Sequence, residues 1–139
     1  MEKRYNFIDH TADIGIEVYG KDKKELFKNA GIGFFDLITD IKKIKEKISV
    51  DIEVNADNIE ELMVIWLNEL NYIFEVKDLV FIDFDIKEIS DTHIKAVGKG
   101  ERFNPNIHPM EEAVKSVTYH KIAVKKVKDG YYARVIFDI

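Results

Sequence analysis

The sequence has no cysteine and no glutamine, and only two of its 139 residues are proline. Without cysteine there is no disulfide, no thiolate zinc site and no cysteine nucleophile. The two prolines, Pro105 and Pro109, sit close together, and no Pro-, Gly- or Ser-rich stretch offers a linker. Basic residues are in the minority: 21 Lys and Arg against 26 Asp and Glu leave a net charge of -5. A chain that grips nucleic acid through its own field is normally basic, so free nucleic acid is not an expected direct partner. The longest uncharged apolar stretch, around Leu62–Asn68, falls far short of the roughly 20 residues that span a bilayer. The opening Met1-Glu2-Lys3-Arg4 leads into structure with no signal-peptide core. These shortages point to a soluble, cytoplasmic protein with no membrane partner.

What is present suits one folded domain over residues 1–139. A chain of this length buries roughly 65–70% of its unfolded surface, enough for a core without staples. With 46% hydrophobic and 34% charged residues, it is too apolar to stay disordered. Abundant Lys, Glu and Ile beside absent Gln resembles the composition of heat-adapted proteins.

Two segments carry helical spacing. The first follows Asp22, with Glu25 three residues on as a capping pair, and Phe27, Ala30, Phe34, Leu37, Ile38 and Ile41 recur at three- and four-residue steps. Gly31 and Gly33 weaken this helix by roughly 1 kcal/mol each relative to Ala, which suggests that something packs closely there. The second follows Asp57, with Glu60 three on, and shows a broad stripe from Ile59 through Trp66 and Leu70 to Phe74. Elsewhere the period is two. Ile48–Val54 and Val80–Ile86 alternate apolar and polar residues, Phe81 falling on the polar phase, and Ile14–Val18 forms a short strand ending at Gly20. His93–Val97 is expected to pair back across Ser90-Asp91. Asp129-Gly130 between Lys121–Val127 and Tyr131–Phe137 is a strong hairpin signal. The order β-β-α-β-α-β-β-β-β predicts an α+β domain, with an antiparallel or mixed sheet wrapped around two core helices.

Residues able to carry chemistry gather in a few places. Asp9-His10-Thr11-Ala12-Asp13 packs two carboxylates and an imidazole into a turn before a strand, where Asp9 and Thr11 could equally cap backbone N–H groups. The C-terminus places Asp138 beside the α-carboxylate of Ile139, either as a solvated chain end or, with a third carboxylate such as Asp13, as an oxygen-rich site for Ca²⁺, Mg²⁺ or Mn²⁺. His10, His93, His108 and His120 stand at no zinc-site spacing. Gly98-Lys99-Gly100-Glu101-Arg102 lacks the context of a phosphate loop and is expected to be a hairpin or loop. No G-x-S-x-G, Walker A or H-E-x-x-H pattern occurs, and Asp36, Asp40, Asp51, Glu53, Asp83 and Asp85 are most simply solvated.

Taken in order, several of these pieces resemble the archease family. The similarity runs through Phe7-Ile8-Asp9-His10-Thr11-Ala12-Asp13-Ile14-Gly15, then Trp66-Leu67-Asn68-Glu69-Leu70 with Tyr72-Ile73-Phe74-Glu75. It continues in Gly100-Glu101, His108, Val114-Lys115-Ser116-Val117-Thr118-Tyr119-His120 and Ala133-Arg134-Val135-Ile136-Phe137-Asp138-Ile139. It covers essentially the whole chain. One departure is Asn104, where the family often has an acidic residue after the Gly-Glu pair.

The resemblance implies a protein cofactor in place of an independent enzyme. Archeases activate the tRNA-splicing RNA ligase, which joins a 2′,3′-cyclic phosphate or 3′-phosphate end to a 5′-hydroxyl end. They promote guanylylation of the ligase histidine and multiple turnover; GTP and RNA reach the archease through the ligase. The family's divalent cation, taken to be Ca²⁺, would fall to Asp13, Asp138 and Ile139, the last through a main-chain oxygen, with Asp9 and His10 behind them. Lys115 is similar to a position needed for activation. Two other readings stay open: a small metal-dependent phosphohydrolase or nucleotide-binding enzyme, disfavoured by the lack of a base beside a nucleophile, and a chaperone-like modulator of tRNA-modifying enzymes.

Overall fold

The computed structural model describes residues 4–9 and 13–139. His10, Thr11 and Ala12 of the opening turn lie outside the described residues.

Helix α1 (Lys23–Ile38) starts where the Asp22 carboxylate accepts the Glu25 N–H at 2.8 Å, while the Glu25 carboxylate accepts the Lys21 N–H at 2.9 Å. This reciprocal arrangement is the capping pair expected from sequence. The helix stops at Thr39. Ile41, expected in its stripe, belongs to a separate 3-10 turn at Ile41–Lys43, because the Asp40 side chain accepts the Lys42 N–H and starts a fresh turn. Helix α2 (Ile59–Lys77) begins one residue later than the expected Asp57–Glu60 pair. Asn58 accepts the Glu61 N–H at 2.8 Å, and Glu61 in turn takes the N–H of Asp57. The α2 stripe faces the core as its spacing predicts, with Leu62, Met63, Trp66, Leu67 and Leu70 fully buried.

The described strands are β1 (Tyr5–Asp9), β2 (Asp13–Gly20), β3 (Ile48–Asn55), β4 (Leu79–Ile89), β5 (His93–Arg102), β6 (Ser116–Val127) and β7 (Gly130–Asp138). The antiparallel alternative is the one realised, in two sheets where one was expected: β1-β2-β7-β6 and β3-β5-β4. Both helices touch strands of both sheets. Of the 16 residues of α1, 11 are buried, so it is covered most of the way round. One sheet lying on two helices would leave their far sides wet; two sheets closing on them do not. Trp66 of α2 ties the layers together, donating Nε1–H to the Phe27 carbonyl of α1 at 3.0 Å and meeting Phe84 edge-on at 5.4 Å.

Close packing explains the helix glycines. A methyl group at Gly31 would stand 2.6 Å from the Phe84 ring, and one at Gly33 would stand 2.5 Å from Ile16. Two corrections concern the three-stranded sheet. Gly98–Arg102 lies inside β5 and forms neither hairpin nor loop. Strict alternation along β4 also fails, because a bulge at Ile82 shifts the register between Phe81 and Asp83. Phe81 thereby pairs with Gly100 and Phe84 with Gly98, so both rings share the core face and Phe81, expected on the wet face, is fully buried. Small residues opposite two phenyl rings are what the bulge requires. The Asp129-Gly130 hairpin forms where expected, with Asp129 left-handed at φ 65°. Among the described residues no helix is long and apolar enough to cross a membrane.

Candidate functional site

Strands β2 and β7 run antiparallel with Gly15 opposite Ile136, Ile14 opposite Phe137 and Asp13 opposite Asp138. Ile14, Ile16, Val135 and Phe137 supply the inward face, and period-two alternation then turns Asp13 and Asp138 together onto the outer face. Residues directly opposite one another hold their Cβ atoms about 4.5–5.5 Å apart, and like charges there repel. Asp138 is exposed and Asp13 half-buried. One Asp13 oxygen, Oδ1, is buried with no hydrogen-bond partner among the described residues. A buried acceptor left unmatched is costly, and this one belongs to a residue that stands opposite a second acid.

The next residue, Ile139, packs its side chain against the core, so its main chain is held at the same sheet end. Lys115 arrives from the other side: its N–H donates to the Asp138 carbonyl at 2.8 Å, and Ser116 stands opposite Asp138 in β6. Its ammonium is carried on an exposed residue. The fold therefore gathers Asp13, Lys115, Asp138 and Ile139 at one end of the four-stranded sheet. Asp9 sits at that end too, but its register partner is Ile14, on the opposite face from the Asp13–Asp138 pair. His10 lies outside the described residues.

Two residues holding this corner carry no role in the sequence reading. Asn68 of α2 works like a short strand edge for Val117, donating Nδ2–H to its carbonyl and accepting its N–H, both at 3.0 Å. Asn71 donates to the Val114 carbonyl at 3.1 Å. Together they brace the segment on which Lys115 rides. The signal that could have revealed them is two amides three residues apart inside an apolar helix stripe.

The remaining candidates lie elsewhere. Glu101 and His108 form a buried pair, with Glu101 Oε2 2.9 Å from His108 Nε2 and also accepting the Lys45 N–H at 2.8 Å. His108 Nδ1 accepts the Asn104 N–H at 2.9 Å, which leaves Nε2–H as the donor to Glu101. Burial pushes the Glu101 carboxyl up, but the Lys45 N–H, His108 and Lys47 more than offset it and hold the carboxyl below its ordinary value. Asn104 thus positions His108 and braces its own turn by accepting the Asn106 N–H. Most of the acids expected to be solvated have side-chain partners: Asp36 accepts from Tyr5, Asp83 pairs with Lys28, and Asp85 with Lys87. Glu53 meets His93, and His120 is exposed in an irregular stretch of β6. No group of three or more His, Cys, Asp or Glu side chains placed to hold a metal ion occurs among the described residues.

Residues 5–139 match the model of the archease protein family. The chain belongs to the archease family. The archease of Methanosarcina acetivorans is 39% identical over 141 residues, spanning 99% of this chain and 97% of its own. That of Pyrococcus furiosus is 38% identical over 141 residues, spanning 99% of both. Among solved structures, protein 1598 of Methanobacterium thermoautotrophicum matches with a TM-score of 0.81 at 29% identity, over 98% of this chain and 99% of that one. The crystal structure of an archease from Thermotoga maritima shares the fold at a TM-score of 0.64 and 22% identity, over 100% of this chain and 98% of that one. The α+β archease architecture expected from the motifs is the one observed.

Proposed function

We propose that the protein activates the RNA ligase of tRNA splicing, promoting guanylylation of the ligase's histidine and its multiple turnover, and is not itself an enzyme. Family membership supports this class of partner, with GTP and the RNA ends handled on the ligase. The observation that carries the reading is the Asp13–Asp138 pair, two residues opposite in register with one buried Asp13 oxygen unmatched among the described residues. Such an arrangement is poised for a cation, and its all-oxygen donor set suits Ca²⁺, with Mg²⁺ or Mn²⁺ as alternatives. Asp13, Asp138 and a main-chain oxygen of Ile139 would hold the ion. When bound, it would neutralise the paired carboxylates and offer positive charge to phosphate oxygens.

The chain's own residues do the rest. Register holds the two carboxylates on one face, the Ile139 side chain against the core fixes the main chain beside them, and Lys115 presents a cation on the segment tethered to Asp138. In phosphoryl transfer, catalysis is mostly positioning and charge neutralisation, so a rigid acidic edge can assist a ligase without supplying a nucleophile.

The test is guanylylation of the cognate ligase with and without this protein, across divalent metals. Asp13→Ala and Asp138→Ala should each bring stimulation down to the unstimulated rate, with the circular dichroism spectrum unchanged. Full stimulation by both variants would overturn the reading. Turnover of GTP by the protein without ligase would favour the phosphohydrolase instead.

A further inference from the structure

The far end of the four-stranded sheet has the opposite character. From Lys121 to Lys128 the chain carries four lysines and no acidic residue, although its net charge is -5. Most of this run is β6, the outer strand of its sheet, where lysines commonly discourage edge-to-edge pairing. Edge protection accounts for Lys121, Lys125 and Lys126. It does not account for what lies beyond the strand.

Where β6 turns into β7, a cleft of about 790 Å³ opens, and Arg4, Lys21 and Lys28 join Lys128 around it from three other parts of the chain. Tyr19 and Tyr131 supply aromatic walls. Lys28 pairs with Asp83 at 3.3 Å, whereas Arg4, Lys21 and Lys128 make no ion pair among the described residues. Of the acids lining the cleft, Glu25 is engaged by the Lys21 N–H, and Asp129 forms the hairpin turn. Gly20 and Gly130 keep the floor at backbone level, since a side chain at Gly130 would collide with the Gly20 carbonyl.

We propose that this cleft, with the lysine margin of β6 leading from it, binds the phosphodiester backbone of a single-stranded nucleic acid. Cations from separate elements converge on one open cleft, and the exposed Tyr19 ring beside them, with the half-buried Tyr131, can stack bases without sequence preference. Lys121 to Lys128 extends the basic surface by about 23 Å at 3.3 Å per residue, longer than one nucleotide needs. A net charge of -5 does not oppose this. It averages a basic margin with an acidic remainder, and contact is set by the local field. The inference goes beyond ligase activation and does not depend on it.

The test uses the full chain alone. Fluorescence anisotropy of a labelled oligouridylate should show saturable binding at about 50 mM salt that weakens steeply by about 200 mM. The double substitution Lys21→Glu with Lys128→Glu, both at exposed positions, should lose about tenfold or more in affinity and flatten the salt dependence. Asp138→Ala, at the other end, should bind as the parent does. No saturable binding at low salt, or an unchanged affinity in the double variant, overturns the proposal. Displacement of the oligonucleotide by an equal phosphate concentration of GTP overturns it in favour of a free-nucleotide site. Equal displacement by polyglutamate overturns it in favour of an acidic protein partner.

Discussion

The two ends of the four-stranded sheet are built from the same strands and treat charge in opposite ways. At one end, strand register sets Asp13 against Asp138 and leaves an Asp13 oxygen without a partner among the described residues. At the other, cations from four parts of the chain surround an open cleft with little direct neutralisation. Strands β2 and β7 run the length of both, from the Asp13–Asp138 pair to Gly20 and Tyr131. A single net charge describes neither end. Glu101 offers the internal reference: it is also a buried carboxylate, yet the Lys45 N–H, His108 and Lys47 all serve it. An acid that only builds structure is satisfied here. Asp13 Oδ1 has no such partner among the described residues, and that contrast supports a functional reading of the pair.

The sharpest way to separate the ends is to loosen one. Replacing Asn68 with Ala leaves the Val117 N–H and carbonyl unmatched, which should cost about 1–3 kcal/mol in urea unfolding. It should also reduce ligase stimulation, because the segment carrying Lys115 loses its brace, while oligonucleotide binding at the far end stays as it was. Equal loss at both ends would show that they are not independent.

Next in size is the acid response of the satisfied carboxylate. The Glu101 carboxyl is held below its ordinary value of 4.5, so its contribution to stability is fully present above that pH and is lost as pH falls through the lower folded-state value. Glu101→Gln should therefore be less stable at neutral pH and lose less stability than the parent on acidification below 4.5. Parallel stability–pH curves for the two proteins would refute the assignment. The smallest effect belongs to the unsatisfied pair. With a chelator present, Asp138→Asn removes one of two facing like charges and should raise stability by about 0.2–1 kcal/mol. A fall in its place would show that Asp13 already has a partner for its charge.

Locally encoded features were readable directly. The Asp22–Glu25 cap, the α2 stripe and the Asp129-Gly130 hairpin each depend on residues within a few positions of one another. The readings that moved depend on what lies across the fold. Capping at Asn58 in place of Asp57 was a one-residue ambiguity between two good cap residues. Alternation assumes an unbroken ladder and so predicts Phe81 on the wet face, and only β5, with Gly98 and Gly100, reveals the bulge at Ile82. The paired roles of Asn68 and Asn71 were hidden because their acceptors, Val117 in β6 and Val114 just before it, lie far along the chain.

The sequence by itself determined both helices, the placing of most strands, the acidic balance and, through its motifs, the family. Those properties are set by short-range periodicity and by composition. Tertiary structure decided that the strands form two sheets, that Asp13 stands opposite Asp138, and that Arg4, Lys21, Lys28 and Lys128 share a cleft. Such contacts join residues from distant parts of the chain, and they arise from burying both faces of two apolar helices at once. Charge placement then follows as the outer-face remainder of that burial.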